Sequence, residues 1–313
     1  MAEDIPSVEG LRVDFGVAVV DKPAGITSNG VLSRVRRIAR NKRAGHSGTL
    51  DPFATGVLVV AVGRATRLFP LIHSGPKRYR ALISLGTATD TADLTGEVIA
   101  ESLVPLFSDA DLEEVAAVMR GRQLQVPPAY SAKKIAGVPS HVLARQGRSV
   151  ALAAVEIEIF AMSLERVVAP QGELITMEVE CSRGSYVRTL AEEVARRLGT
   201  LGHLVQLRRL QSDGFDIESA VPLEDFSAQS FLPLEVVLGN FAIAFISADT
   251  LARARHGHEI PLGEIASGTV EPGRNIAIFV ERAAGSSLAS EDLVGIYRLG
   301  SQGTLVAEML FVT

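Results

Sequence analysis

The chain has 313 residues, 31 Lys+Arg against 36 Asp+Glu for a formal net charge of −5, and 47% hydrophobic residues. That composition excludes a disordered or fibrous chain and is long enough to bury a sizeable core, with two domains as the starting expectation. A single cysteine, Cys181, excludes an internal disulfide and a zinc cluster of the usual spacing, so a cytoplasmic chain without a structural metal is expected.

The opening residues 1–5 lack the basic flank and apolar stretch of a signal peptide, so no export is expected. The most apolar region, 231–252, is interrupted by Pro233, Glu235, Gly239, Asn240 and Asp249, short of the ~18 residues of a membrane span. It reads as core, and no membrane association is expected.

In chain order, residues 16–20 form an apolar strand that ends in the turn Asp21, Lys22, Pro23, Ala24, Gly25. Thr27 or Ser28 caps a helix whose apolar positions Val31, Leu32, Val35 and Ile38 leave Arg34, Arg36, Arg37 and Arg40 around the remaining surface. Residues 45–52 are too glycine-rich for a helix and too polar for a buried strand, and residues 56–63 read as a strand or a buried helix.

Alternation over 77–85 points Tyr79, Ala81, Ile83 and Leu85 inward. Ser108 and Asp111 have capping-box spacing for a helix through Met119, and 175–181 alternates as a strand. A helix follows with Tyr186, Leu190, Val194 and Leu198 on one stripe, Arg188 at its start and Gly199 at its end. Beyond about 245 short strands prevail, most clearly at 275–280, 294–299 and 305–312.

Charge is sorted along the chain. From Lys22 to Leu50 seven basic residues occur without an acid, and from Val115 to Val155 another six (Arg120, Arg122, Lys133, Lys134, Arg145, Arg148). From Leu210 to Ala252 seven acids occur without a base. The basic runs are candidate phosphate-binding faces. Dinucleotide, phosphate-loop and zinc-protease motifs are absent, and His46 has no second ligand at a metal-like interval, so neither a cofactor nor a metal is expected.

The segment Gly45-His46-Ser47-Gly48-Thr49-Leu50-Asp51-Pro52-Phe53-Ala54-Thr55-Gly56-Val57-Leu58 closely resembles the catalytic loop of the TruB family of bacterial tRNA pseudouridine-55 synthases. Further blocks are similar to that family in the same order: residues 21–28, Lys77-Arg78-Tyr79, 86–93, 127–134, 181–190 and 207–210. The resemblance spans about residues 10 to 215, and it departs from the family pattern at Ser140-His141 and at Ala154.

The resemblance implies an α+β fold: a mixed, largely antiparallel sheet with flanking helices over 10–244 as catalytic domain, and a small β-rich, PUA-like domain over 245–313. It implies an intramolecular isomerase that flips uridine 55 out of the T-loop of tRNA and converts it to pseudouridine without a cofactor. Asp51 is then the essential carboxylate, ionised at the working pH with Arg188 as its cation, and Tyr79 stacks on the flipped base and helps remove the proton from carbon 5. His46 contacts the displaced nucleotides, Tyr186 and Leu207 line the pocket, and Lys22 and Asp90 support it. The expected partner is the T-arm of tRNA and the expected state a monomer. The competing readings are a non-catalytic RNA-binding protein on the same scaffold, a pseudouridine synthase acting on another RNA, and an Asp-dependent hydrolase of small molecules, which would leave both basic runs without a purpose.

Overall fold

The computed structural model describes residues 12–72, 75–128, 130, 133–135, 138–140, 152–169, 172–281 and 288–311. His141, Arg145 and Arg148, singled out above, lie outside the described residues. A ten-stranded sheet forms the larger part. Its path runs Val221–Pro222, Phe15–Lys22, Thr55–Gly63, Gly202–Ser212, Lys77–Leu85, Gly172–Cys181, Val155–Ala169 and Gly121–Gln125. Ala44–His46 pairs alongside Thr55–Gly63, and Phe215–Asp216 alongside Gly202–Ser212. The expected mixed, largely antiparallel sheet is present. The parallel pairings join Phe15–Lys22 to Val221–Pro222 and Thr55–Gly63 to Gly202–Ser212.

Strands Phe15–Lys22 and Thr55–Gly63 are continuous apolar runs because both their faces are covered. On one face Ala18, Val20, Leu58, Val60 and Val62 pack against Val31, Leu32 and Val35 of the helix Ser28–Ile38. On the other, Val17, Val19, Val57 and Val59 pack against Phe241, Phe279 and Phe311. The helix starts where expected, with the Thr27 hydroxyl accepting from the Gly30 N–H at 3.0 Å.

The other half of the sheet has one buried face. Tyr79, Ala81, Ile83, Ile175, Met177 and Val179 pack against Leu112, Val115 and Met119 of the helix Asp109–Met119 and Leu190 and Val194 of the helix Val187–Arg197. The capping box at Ser108 and Asp111 is formed. Gly199, just past the second helix, has φ +78, and its N–H donates to the Arg196 carbonyl. Tyr186 caps this helix from outside rather than riding its stripe, because its backbone is extended.

A second, six-stranded sheet takes the order Ile260–Pro261, Thr304–Leu310, Leu293–Leu299, Ile276–Val280, Ala242–Ile246 and Ile265–Gly268. The segment expected to be wholly loop begins instead with the short strand Ala44–His46, whose backbone pairs with Val60–Val62. Its register comes from that neighbour, not from its own side chains.

Candidate active site

Asp51 lies on the loop between Ala44–His46 and Thr55–Gly63, at the point where the parallel pairing of Arg208 with Thr55 and Arg209 with Gly56 joins the two halves of the sheet. Polar loop backbone inside a protein needs partners, and here side chains supply them. Lys77 Nζ donates to the Ser47 carbonyl at 2.8 Å and Arg209 Nη2 to the Gly48 carbonyl at 3.1 Å. The Ser28 hydroxyl both donates to the Leu50 carbonyl and accepts from the Leu50 N–H. Lys22 Nζ donates to the Pro52 carbonyl at 3.2 Å, as does the Gly25 N–H at 2.8 Å. The loop is thereby fixed from Ser47 to Pro52.

Two glycines are required by this arrangement. Gly48 has φ +111, and a Cβ there would lie 2.4 Å from Lys77 Nζ. Gly56 has φ +102, and its Cβ would lie 2.2 Å from the Arg209 carbonyl oxygen, which is backbone and cannot move aside.

Arg188 grips Asp51 with two donors, Nε to Oδ2 at 2.9 Å and Nη2 to Oδ1 at 3.3 Å. Nη2 also donates to the Tyr130 carbonyl and Nη1 to the Thr91 carbonyl, both at 2.9 Å, while Nη1 faces Asp93 Oδ2 at 3.6 Å. Four of the five guanidinium N–H groups therefore have a hydrogen-bond acceptor, and the fifth faces Asp93 at ion-pair distance. Arg188 sits in the first turn of its helix, where the helix dipole disfavours a cation. The half-buried carboxylate of Asp51 and the buried one of Asp93 hold it there. Asp93 is itself fixed by Thr91 and Thr95, whose hydroxyls and the Thr95 N–H donate to Oδ1.

Burial pushes the Asp51 carboxyl above the ordinary aspartate value; the Arg188 guanidinium opposes this, Asp93 adds to the rise and Lys22 opposes it. The cation partner expected for Asp51 is thus in contact with it, yet desolvation remains the larger effect. Lys22 is fully buried, and burial lowers its ammonium to about 8. Its three N–H groups are spent on the carbonyls of Pro23, Ile26 and Pro52.

Tyr79 is buried in the cluster that holds Leu50 and Ala54 from the Asp51 loop, Val187 next to Arg188, and Leu207. Burial raises its phenol above the usual value, and a hydrogen bond from Arg209 lowers it in part. Arg209, almost completely buried, also donates from Nε to the Val57 carbonyl at 2.7 Å. Tyr186, half-buried, is held by its backbone: its N–H donates to Gln125 Oε1 at 2.8 Å, and Gln125 Nε2 donates to its carbonyl at 3.1 Å.

Of the residues singled out from sequence, Asp51, Arg188 and Lys22 converge, with Tyr79, Leu207 and Tyr186 around them. His46 stands on the strand leading into the loop, opposite Val60. Asp90 is exposed and is linked to the site through Tyr130, whose hydroxyl donates to Asp90 Oδ2 at 3.2 Å. Of the two acids in that block, Asp93 is the one that faces Arg188. Sequence reasoning assigned no role to Asp93, Lys77, Arg209 or Gln125, although the first three stand within blocks that carry the family resemblance.

The two basic runs also separate. Arg120 pairs with Glu113 and Arg122 with Glu158, so the described arginines of the second run each face a carboxylate. Among the described residues no group of three or more His, Cys, Asp or Glu is arranged to hold a metal, and no helix is long and apolar enough to cross a membrane.

The sequence profile of the TruB family pseudouridylate synthase N-terminal domain matches residues 36–187, and that of the tRNA pseudouridylate synthase B C-terminal domain matches residues 188–235. The chain is 48% identical over 212 residues to the tRNA pseudouridine synthase B of Geotalea uraniireducens, covering 68% of this chain and 67% of that one. It is 43% identical over 248 residues to the same-named protein of Geobacter sulfurreducens, covering 79% and 78%. Among solved structures, one of an H/ACA RNP bound to a substrate RNA containing 2'-deoxyuridine is similar with a TM-score of 0.66 at 21% identity, covering 96% of this chain and 86% of that one. At that identity the likeness is one of fold.

Proposed function

The chain belongs to the TruB family of pseudouridylate synthases, and from that premise we propose that it isomerises uridine 55 in the T-loop of tRNA to pseudouridine. The carrying observation is the two-donor grip of Arg188 on Asp51 at a loop whose backbone is fixed from both sides. In this scheme the target nucleotide is extruded from the loop, at a cost of about a few kcal/mol, and its base enters beside Tyr79. Asp51, ionised, acts on the ribose or the base. The bond from ribose C1' to N1 breaks, the uracil rotates, C1' bonds to C5, the C5 proton leaves and N1 takes one up. No electron acceptor or external energy source is needed.

The remaining residues then have physical tasks. Arg188 orients Asp51 and favours its charged form, Tyr79 stacks on the flipped base and assists removal of the C5 proton, and Tyr186 and Leu207 wall the pocket. His46 contacts the displaced nucleotides, Lys22 holds the loop, and Asp90 fixes Tyr130, whose carbonyl receives Arg188. In the same scheme residues 10–244 are the catalytic domain and 245–313 a PUA-like RNA-binding domain of a cytoplasmic monomer.

The test incubates unmodified tRNA transcript with the native protein and with Asp51→Asn, without cofactor, and maps pseudouridine by position alongside RNA binding. Conversion at uridine 55 by the native protein, with binding but no conversion by Asp51→Asn, is the expected result. Binding without conversion by either protein would leave an RNA-binding protein instead, and conversion at another position would move the substrate.

A further inference from the structure

In this acidic chain most exposed arginines among the described residues face a carboxylate: Arg80 pairs with Glu178, Arg166 with Glu173, Arg196 with Glu193 and Arg298 with Glu308. The segment 37–43 departs from that pattern. Arg37, Lys42 and Arg43 are exposed, and among the described residues none of the three has a carboxylate within ion-pair distance. The only side-chain bond shown for them is from Arg43 Nε to the Thr66 hydroxyl, at 2.7 Å. The acidic turn Leu223–Asp225 marks the limit of the patch, since its Glu224 carbonyl takes a bond from Arg34.

The patch is held rigidly. Buried Asn41 donates from Nδ2 to the Val13 carbonyl and accepts from the Arg43 N–H at Oδ1, both at 3.0 Å, and Arg36 Nη2 donates to the Ala44 carbonyl at 3.2 Å. The backbone that carries Lys42 and Arg43 is therefore fixed, and Arg43 is further placed by its bond to Thr66. The patch is also continuous with the site. The same helix begins at Ser28, which bonds the Leu50 backbone next to Asp51. Its 11 residues carry the chain ~16 Å from there.

We propose that Arg37, Lys42 and Arg43 form a second RNA-contact surface, which binds backbone phosphates of the tRNA substrate outside the stem-loop that carries the target uridine. This rests on the assignment of tRNA as substrate. A fixed, acid-free group of cations at the end of a helix that starts at the catalytic loop suits a long polyanion, which must touch the protein in two places. It suits a small anion poorly, because Arg37, Lys42 and Arg43 are all exposed. By contrast, Arg120 and Arg122, with their charges taken up by Glu113 and Glu158, have less to offer phosphate.

The test compares the native chain with Arg37→Glu/Lys42→Glu and with a control of equal charge change elsewhere, Arg166→Glu/Arg196→Glu, two arginines paired on the protein with Glu173 and Glu193. Dissociation constants are measured across a salt series for full-length unmodified tRNA and for the isolated T-arm stem-loop, together with conversion of each. For full-length tRNA the patch variant is expected to bind about tenfold more weakly, with a logarithmic salt slope smaller by about 2, one for each lost phosphate contact. Its binding and conversion of the stem-loop stay at the native level, as do both for the control. The neutral pair Arg37→Gln/Lys42→Gln gives a smaller shift in the same direction.

Unchanged affinity and slope on full-length tRNA would overturn the proposal, and so would an equal loss on the stem-loop, which would put these cations at the target arm itself. If the native chain converts both RNAs while the variants behave like it, only this surface fails. If the native chain neither binds nor converts tRNA, the substrate assignment fails and this surface with it.

Discussion

The Arg188 guanidinium and the Asp51 carboxylate meet through two hydrogen bonds, while the other face of the same guanidinium is turned to Asp93. One cation is thus shared by two carboxylates of unlike surroundings. The Asp93 side chain is almost sealed and saturated by Thr91 and Thr95, whereas the Asp51 side chain keeps 32% of its surface open. A substrate can reach the second and not the first.

Replacing Arg188 should expose the value of this arrangement. Arg188→Met leaves two facing carboxylates without their cation, and a stability loss of about 2–3 kcal/mol is expected, below the value for a fully sealed pair because Asp51 is partly open. Arg188→Lys keeps the charge but not the planar fork, so it should recover most of the stability and little of the activity. Denaturant unfolding and single-turnover conversion of tRNA separate the two effects.

The acid limb of the pH–rate profile should lie above the ordinary aspartate value of about 3.9, since burial raises the Asp51 carboxyl and the proposed scheme works through its ionised form. Activity is then present above that limb and lost as pH falls through it. Arg188→Gln removes an opposing cation and should move the limb upward, while Asp93→Asn removes a neighbouring negative charge and should move it downward. Single-turnover rates over a pH series read both shifts.

An alkaline limb is expected near pH 8. Burial lowers both Lys22 and Lys77 to about 8, and each holds the loop by donating to a backbone carbonyl. A neutral amine has one N–H fewer, so Lys22 must then release one of its three carbonyls. Conversion should therefore decline as pH rises through about 8. Lys77→Arg, which cannot lose its charge in this range, should weaken that decline, and the same rate series measures it.

Gly56→Ala should be among the most damaging single-methyl additions in the chain. The new Cβ would meet the Arg209 carbonyl at 2.2 Å in a left-handed backbone, and a loss of about 3 kcal/mol or more is expected. At Gly48 the clash is with a flexible Lys77 tip, so Gly48→Ala should destabilise less while still displacing the amine from the Ser47 carbonyl. Thermal melts rank the two variants, and conversion rates show whether Gly48→Ala loses activity out of proportion to stability.

Much of this site is legible in the sequence because the loop, its tyrosine strand and its arginine helix are each contiguous blocks. What is not legible depends on backbone placement. Asp90 and Asp93 stand in one block, and the turn through Ala92, with φ +59, brings Asp93 to Arg188 and leaves Asp90 at the surface. Arg208 and Arg209 are adjacent, so strand alternation sends them opposite ways. Arg208 pairs with Asp21 at the rim, and Arg209 passes under the loop. Which one goes under is fixed only by the register with Thr55 and Gly56. The second basic run looks available for phosphate until the fold brings Glu158 opposite Arg122.

The apolar side chains of the two sheets merge into one cluster, in which Val17, Val19, Val57 and Val59 meet Phe241, Phe279 and Phe311. Arg64 reaches across to the Phe311 carbonyl at 2.9 Å. The C-terminal sheet is therefore the lid on half of the catalytic sheet's interior, not an appendage hung from it. A chain ending near residue 240 would turn a row of valines out to water, so a catalytic fragment of this protein would be sticky before it was inactive. Calorimetric melting of the two sheets should accordingly give one cooperative transition, with a lower melting temperature when either is damaged.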